Sequence, residues 1–397
     1  MGPTQIAVVA AGLLCCSFAL WARSIRPVFG NVALVAVAIL TLLLALEGIV
    51  RLLEIDLARD RAAFEAMPIW FRQPTVPVGE IYFRRPGPAQ WTGRVLTEYL
   101  EAYVGISAAY PEEEPLTISY DALGFRNPPE LTEWEVVVVG DSFVELGHLP
   151  YEQLFTTELG ARLGKKVKNL GVSATGPLTH IFYLREYGKS RGTADAVLVF
   201  YEGNDLAELE GENRSLQRFR RTGQRDYREV PNGASLFRAI VKLAASFKPT
   251  GVVHGAYLSS VGVPVSIGDV PPAAADLDEE QLRLLRATMA RWSATAMELE
   301  LTPWLIYMPS KRRVFHGHLE FDDSVPVSVR DWQPTDLPDL IEDLARTNGI
   351  RFIDATPALA RETAQGRLAY NAIWDTHLNR RGSHVVAEVI ADEMLKR

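Results

Sequence analysis

The stretch that most limits the fold is Glu135-Val-Val-Val-Val-Gly-Asp-Ser-Phe143. An unbroken run of β-branched apolar residues suits a strand buried on both faces, as in the centre of a parallel sheet. Gly140 then allows a sharp turn, and Ser142 stands where the chain should enter a helix. That places it at the carboxyl end of a strand, on the rim where open α/β sheets bind ligands. Helix N–H groups there favour negative charge, which suits a nucleophile. The tripeptide Gly140-Asp141-Ser142 reads equally well as a plain helix cap after a strand.

From Glu135 onward, strands and helices alternate. Strands are expected at 135–140, 166–170, 196–201, 303–308 and 351–354. Helices are expected at about 151–163, 177–187, 279–298, 337–346 and 382–395, with Pro177 as a helix starter. This alternation implies a parallel sheet with both faces covered and right-handed crossovers. An interruption is expected from about 206 to 276. It carries Arg214, Arg218, Arg220, Arg221, Arg225 and Arg228. They read as a solvated insertion, or as a patch for anionic lipid head groups or an acidic polysaccharide.

The chain has 397 residues and a formal net charge of −8, which makes nucleic acid an unfavourable general partner. Its two cysteines, Cys15 and Cys16, are adjacent in an apolar segment, so they staple nothing, and no zinc-type Cys/His spacing exists. Residues 6–22 are apolar and uncharged. Residues 31–53 are apolar except for Glu47 and Arg51, which can pair on one helix face. Each stretch approaches the length needed to cross a bilayer. A cleaved signal peptide is the alternative, but no basic residue precedes the first run. The expected organisation is a transmembrane hairpin over 1–53, an irregular lead-in over 54–133 and a catalytic domain over 134–397. Arg23 and Arg26 in the connecting loop favour a cytoplasmic loop, which places the large domain outside the cytoplasm. Arg51, Arg59 and Arg61 pull the other way.

Acyl-ester chemistry needs a nucleophile, a base, a group that orients the base, and donors for the oxyanion. Each is present at a strand end. Ser142 follows the first strand, Asn169-Leu-Gly-Val-Ser-Ala-Thr-Gly176 the second, and Gly203-Asn204-Asp205 the third. Asp375-Thr-His377 lies beyond the fifth. All would converge on one rim. Asp375 can fold back onto one imidazole nitrogen of His377, leaving the other for Ser142. Asn204 can offer its amide to an oxyanion, or simply close an Asx turn. Asp205 reads as structural, a helix cap. His148, His180, His254 and His384 have no evident partner in the sequence. Lys311, Arg312, Arg313, His316 and His318 read as either a solvated loop or substrate contacts.

Taken together these residues resemble the SGNH/GDSL hydrolase superfamily. Gly140-Asp141-Ser142 matches its first block, Gly203-Asn204-Asp205 its third and Asp375-Thr-His377 its last, over roughly 135–397. The resemblance implies a flavodoxin-like, three-layer α/β sandwich with five parallel strands. It implies Ser142 as nucleophile, His377 as base and Asp375 as its orienter. It implies oxyanion donors from Ser142, the second-block loop and Asn204. Two features depart from the pattern. Ala174 stands where the second block usually has glycine, and a positive φ is harder for alanine. Gly171 or Gly176 would then shape the loop. The last block is the short Asp-x-His, which looks like membrane-tethered members and alginate-type O-acetyltransferases, as does Leu123-Gly-Phe-Arg-Asn127.

The function expected is a membrane-anchored serine esterase that removes O-acetyl or other short acyl groups from a glycan or lipid. It would sit in a bacterial inner membrane, alongside envelope polysaccharide machinery. An O-acyltransferase would use the same residues. An inactive glycan-binding assembly protein is the reading from another class. No metal or organic cofactor is implied, since the protein itself supplies nucleophile, base and oxyanion donors.

Overall fold

The computed structural model describes residues 74–94, 115–225, 253–259, 262–268, 270–323, 325–372 and 376–396, with scattered positions between 35 and 47. The chain divides into two compact units. One is Met67–Arg228 with Thr250–Arg397, and the other is Met1–Ala66 with Glu229–Pro249. Nearly all of the second unit lies outside the described residues. So do almost all of the expected membrane segments, both cysteines, Arg228 and Asp375. Among the described residues no helix is long and apolar enough to cross a membrane.

The larger unit opens with two small antiparallel pairs. Val76–Val78 (β1) pairs with Tyr82–Arg84 (β2), and Ala89–Gly93 (β3) with Leu116–Tyr120 (β4). The body then runs through Val136–Gly140 (β5), the one-turn helix Ser142–Glu145 (α1), Phe155–Leu163 (α2), Val167–Gly171 (β6) and Pro177–Tyr187 (α3). Asp195–Tyr201 (β7) and Asp205–Thr222 (α4) follow. Beyond them come Val253–Leu258 (β8), Val263–Ile267 (β9), Glu279–Glu298 (α5), Thr302–Met308 (β10), Lys311–Phe315 (α6) and Leu319–Phe321 (β11). The chain finishes with Val327–Arg330 (α7), Leu337–Thr347 (α8), Arg351–Asp354 (β12), Thr356–Ala364 (α9) and Arg380–Leu395 (α10).

The central sheet has five parallel strands in the order β12-β10-β7-β5-β6. From β5 the chain steps outward to β6 at one edge. It then returns to β7 and continues to the opposite edge. The winding therefore reverses between β5 and β7, and that reversal opens a crevice at their carboxyl ends.

The four valines do what an uninterrupted apolar run requires. Val136 and Val138 face one core, with Phe155 and Leu159 of α2, Leu359 of α9 and Val386 of α10. Val137 and Val139 face the other, with Ile181 and Leu184 of α3, Leu285 of α5 and Ile341 of α8. All four are fully buried, each contributing roughly 1.5–3 kcal/mol.

The lead-in is tied into this body. β6 is an edge strand, and Asn127 closes its open side. The Asn127 Oδ1 accepts the Asn169 N–H at 2.8 Å, and its Nδ2 donates to the Asn169 carbonyl at 2.8 Å. One side chain thereby mimics a neighbouring strand. Arg126 donates to the Leu146 and Leu149 carbonyls. Asp121 pairs with Lys168 at 2.7 Å.

Several expectations change. The interruption expected at 206–276 begins instead with α4, whose Leu206, Leu209 and Leu216 join the second core. Its charged face hides a short apolar stripe, and its Arg214, Arg218, Arg220 and Arg221 point outward, with exposed Arg225 just beyond its end. β8 pairs with both β9 and β11 in a separate three-stranded sheet. α9 was not expected at all. Lys311, Arg312 and Arg313 are not on a solvated loop: they form α6 and are buried. Arg313 pairs with buried Glu202 at 2.7 Å and bonds to Thr335. Arg312 lies over the Trp332 ring at 4.8 Å.

Candidate active site

The site gathers at the reversal between β5 and β7. Gly140 ends β5 and Gly171 ends β6, and α1 sits against both. A Cβ on Gly140 would come within 2.4 Å of the Val144 side chain, and one on Gly171 within 2.3 Å of the Glu145 nitrogen. Only glycine at these two ends lets the short helix carrying Ser142 approach so closely. Asp141 caps that helix, its Oδ1 accepting the Phe143 N–H at 2.8 Å. Its other oxygen lies 3.4 Å from the Ser142 hydroxyl and accepts the Asn204 amide at 3.1 Å. Ser142 is buried at the rim, with 9% of its surface exposed.

His377 arrives from the loop before α10. Its ring packs on that of Phe143, the residue next to Ser142, with centroids 4.8 Å apart. Burial pushes the Asp141 carboxyl up, and the Phe143 N–H, His377 and the Asn204 amide draw it only part-way back. The residue expected to orient His377, Asp375, lies outside the described residues. His148 does have partners: its Nε2 donates to the Leu378 carbonyl at 2.9 Å, with the Asn371 amide 3.3 Å away. Asn371 N–H in turn bonds the His377 carbonyl at 2.9 Å. His148 and Asn371 thus brace the backbone that presents His377. Their six-residue and six-residue separations from Ser142 and His377 carry no motif that sequence reasoning could have used.

His180 and His384 also have partners. His180 is buried beside Thr175, where burial pulls it down to about 3. His384 bonds Glu158 at 2.6 Å, between α2 and α10.

The loop after β6 holds Ala174 at φ +61°, in the left-handed region. The alanine itself takes the left-handed conformation, and neither Gly171 nor Gly176 has a positive φ. Of the three non-glycine residues at positive φ among those described, two, Leu146 and Ala174, flank Ser142's helix and this loop. Ala174 is exposed, and among the described residues its N–H has no acceptor. It lines a cleft of about 470 Å³ with Ile81, Phe83, Gly176, Glu208 and Glu212.

Asn204 reaches the same crevice from β7. Its amide nitrogen donates to Asp141 and to Glu208, both at 3.1 Å. Asp205 does not cap α4 forwards as expected: its carboxylate reaches back to the Tyr201 N–H at 2.8 Å and closes the turn. Glu212 caps α3 from α4, accepting the Gly176 and Leu178 N–H groups at 2.9 Å.

Oxygens of Asp141, Asp205 and Glu208 lie within 4.8 Å of one another, close enough to ligate a single cation. Burial first, then Asp141 and Glu208, push Asp205 well up. Burial, then Asp141 and Glu212, push Glu208 up to about 9.

No family model matches the chain, and no curated protein does. Solved structures do. A lipolytic protein of the G-D-S-L family from Veillonella parvula matches at 12% identity over 66% of this chain and 98% of its own, with a TM-score of 0.34. The acetyl xylan esterase AlAXEase matches at 11% identity over 65% of this chain and 98% of its own, with a TM-score of 0.35. Axe2, an acetylxylan esterase from Geobacillus stearothermophilus, matches at 11% identity over 65% and 93%, with a TM-score of 0.32. At such values the chemistry has to be read from this chain's own geometry.

Proposed function

We propose that the protein is a serine ester hydrolase of the SGNH/GDSL type acting on an acylated carbohydrate. The observation that supports this reading is the packing of the His377 ring on Phe143, the residue next to Ser142, at the crevice where the sheet reverses. His377 takes the proton of the Ser142 hydroxyl, which attacks the ester carbonyl. The tetrahedral oxyanion is met by the backbone N–H groups of Ser142 and Ala174 and by the Asn204 amide, and each such donor supports roughly 3–4 kcal/mol of barrier lowering. To serve there, the Asn204 nitrogen gives up one of its two carboxylate contacts. Collapse releases the sugar hydroxyl, protonated by His377, and leaves an acyl-Ser142 that water hydrolyses. Asp375 orients His377. The segments 6–22 and 31–53 anchor the chain in a membrane, with this domain on the extracytoplasmic side.

The test is acetate release from p-nitrophenyl acetate and from O-acetylated xylan by the wild type, Ser142→Ala and His377→Ala. Each substitution is expected to cost about a thousandfold or more in kcat/KM. Undiminished turnover by Ser142→Ala removes the mechanism. Labelling of Ser142 by a fluorophosphonate separates an enzyme from an inactive glycan-binding protein.

A further inference from the structure

Glu145 closes α1, three residues after Ser142, and is fully buried together with Arg85. Five donors converge on its carboxylate. Arg85 gives Nε at 3.1 Å and Nη2 at 3.0 Å. Tyr120 gives its hydroxyl at 2.6 Å. Ser173 gives its backbone N–H at 2.5 Å and its hydroxyl at 2.6 Å. Arg85 and Tyr120 belong to the lead-in, Glu145 to the nucleophile's helix, and Ser173 to the loop after β6. Ser173 immediately precedes Ala174, which sits at φ +61°.

A left-handed alanine is not held by its own preference, so something outside it must hold the loop. Gripping Ser173 through both its N–H and its hydroxyl anchors the residue directly before Ala174, from which the Ala174 N–H is hung. Burial alone would push the Glu145 carboxyl up, but Arg85's charge and the bonds from Arg85, Ser173 and Tyr120 override it and hold it below the usual range. The carboxylate is therefore charged and saturated with donors, which makes it a stiff anchor.

We infer that Glu145 is a positioning residue for the reaction: from behind the nucleophile's helix it clamps the 172–176 loop in the shape that aims the Ala174 N–H at the oxyanion. Arg85 and Tyr120 make the lead-in part of this clamp, so the lead-in is machinery as well as connector. The inference rests on the function proposed above, since it needs an oxyanion to aim at.

The experiment measures kcat and KM on p-nitrophenyl acetate with the full-length chain. Arg85→Met/Glu145→Met removes the buried pair together, which avoids stranding one charge. Folded protein is expected to lose about 10- to 100-fold in kcat with KM little changed, the signature of a displaced oxyanion donor. Adding Ala174→Gly, which accepts positive φ without being held, is expected to restore several-fold of that loss. A clamp that served stability alone would lower the melting temperature and leave kcat unrescued by glycine. Where the double variant does not fold, Ser173→Ala with and without Ala174→Gly gives the same comparison with a smaller first loss. Wild-type kcat in the folded clamp variant overturns the inference, and so does a loss that Ala174→Gly leaves untouched. Ser142→Ala is run alongside. Activity surviving in it overturns the proposed function, whereas a dead Ser142→Ala beside a fully active clamp variant overturns only the role of Glu145.

Discussion

The His377 ring rests on the Phe143 ring with centroids 4.8 Å apart, and Phe143 stacks in turn on Tyr201 at 3.8 Å. The residue after Ser142 is thus a platform for the His377 ring, itself backed by the end of β7. Ring contacts of this kind resist displacement, because the contact is lost when either ring moves.

Phe143→Leu should therefore damage catalysis more than folding. The leucine fills most of the core volume but offers no flat face to the imidazole. On the proposed mechanism a drop of about tenfold or more in kcat is expected from misplacing His377. Stability should fall by only about 1–2 kcal/mol. Steady-state kinetics beside a melting curve checks both, and an unchanged kcat would show that His377 is positioned by its own loop alone.

Ala174 carries a backbone cost that its exposed side chain does not recover. Holding a non-glycine residue at φ +61° costs roughly 1–2 kcal/mol. Ala174→Gly removes most of that cost and gives back part as unfolded-chain entropy, so a net gain near 0.5 kcal/mol is expected. Ala174→Val adds β-branching at the same φ and should lose about 1 kcal/mol or more. Denaturant titration of the three proteins gives the order Gly, Ala, Val. The reverse order would mean that the loop relaxes to negative φ in solution.

Arg313 tests whether the basic run after β10 touches substrate. Its guanidinium is 6% exposed and locked to Glu202, which is fully buried and also accepts the Tyr307 hydroxyl and the Ser310 N–H at 2.8 Å. Arg313→Met leaves that carboxylate without its cation, at a cost of about 3–5 kcal/mol. Melting temperature should fall sharply while KM on folded protein stays put. A raised KM with unchanged melting would restore the substrate-contact reading.

The sheet was legible because its strands announce themselves. Val136–Val139 and Ala196–Tyr201 are apolar runs too short for helices, and α3, α5 and β12 lie where their patterns place them. The convergence of Ser142, Asn204 and His377 on one rim followed from each standing after a strand or before the last helix. What escaped was whatever depends on distant side chains meeting. Lys311–Arg313 looked like a solvated loop because charge normally means water, and nothing local reveals that Glu202, over a hundred residues earlier, waits beneath them. α4 looked like an insertion because its core stripe is only three leucines among arginines and glutamates. His148 and Glu145 carry no motif, and their roles emerge only from what the fold brings beside them.

Glu208 gives the site a pH signature that can be worked out in sign. Its carboxyl is raised from 4.5 to about 9, first by burial, then by Asp141 and Glu212. In the unfolded chain it releases its proton near pH 4.5, while in the folded chain it keeps that proton until about pH 9. Between those values the folded state binds more protons, so stability is fully present below the lower value and declines as pH rises through the window. The slope for one retained proton is at most about 1.4 kcal/mol per pH unit. Glu208→Gln keeps an oxygen for the Asn204 amide but cannot ionise. It should match the wild type at pH 4, be more stable at pH 8 by roughly 1 kcal/mol or more, and flatten the curve between. It should also ease Asp205, whose raised carboxyl is pushed partly by Glu208. Urea unfolding at pH 4, 6 and 8 measures the divergence. A gain that is the same at all three values would mean that Glu208 ionises freely in the folded protein, and that the carboxyls around Asn204 are screened by solvent.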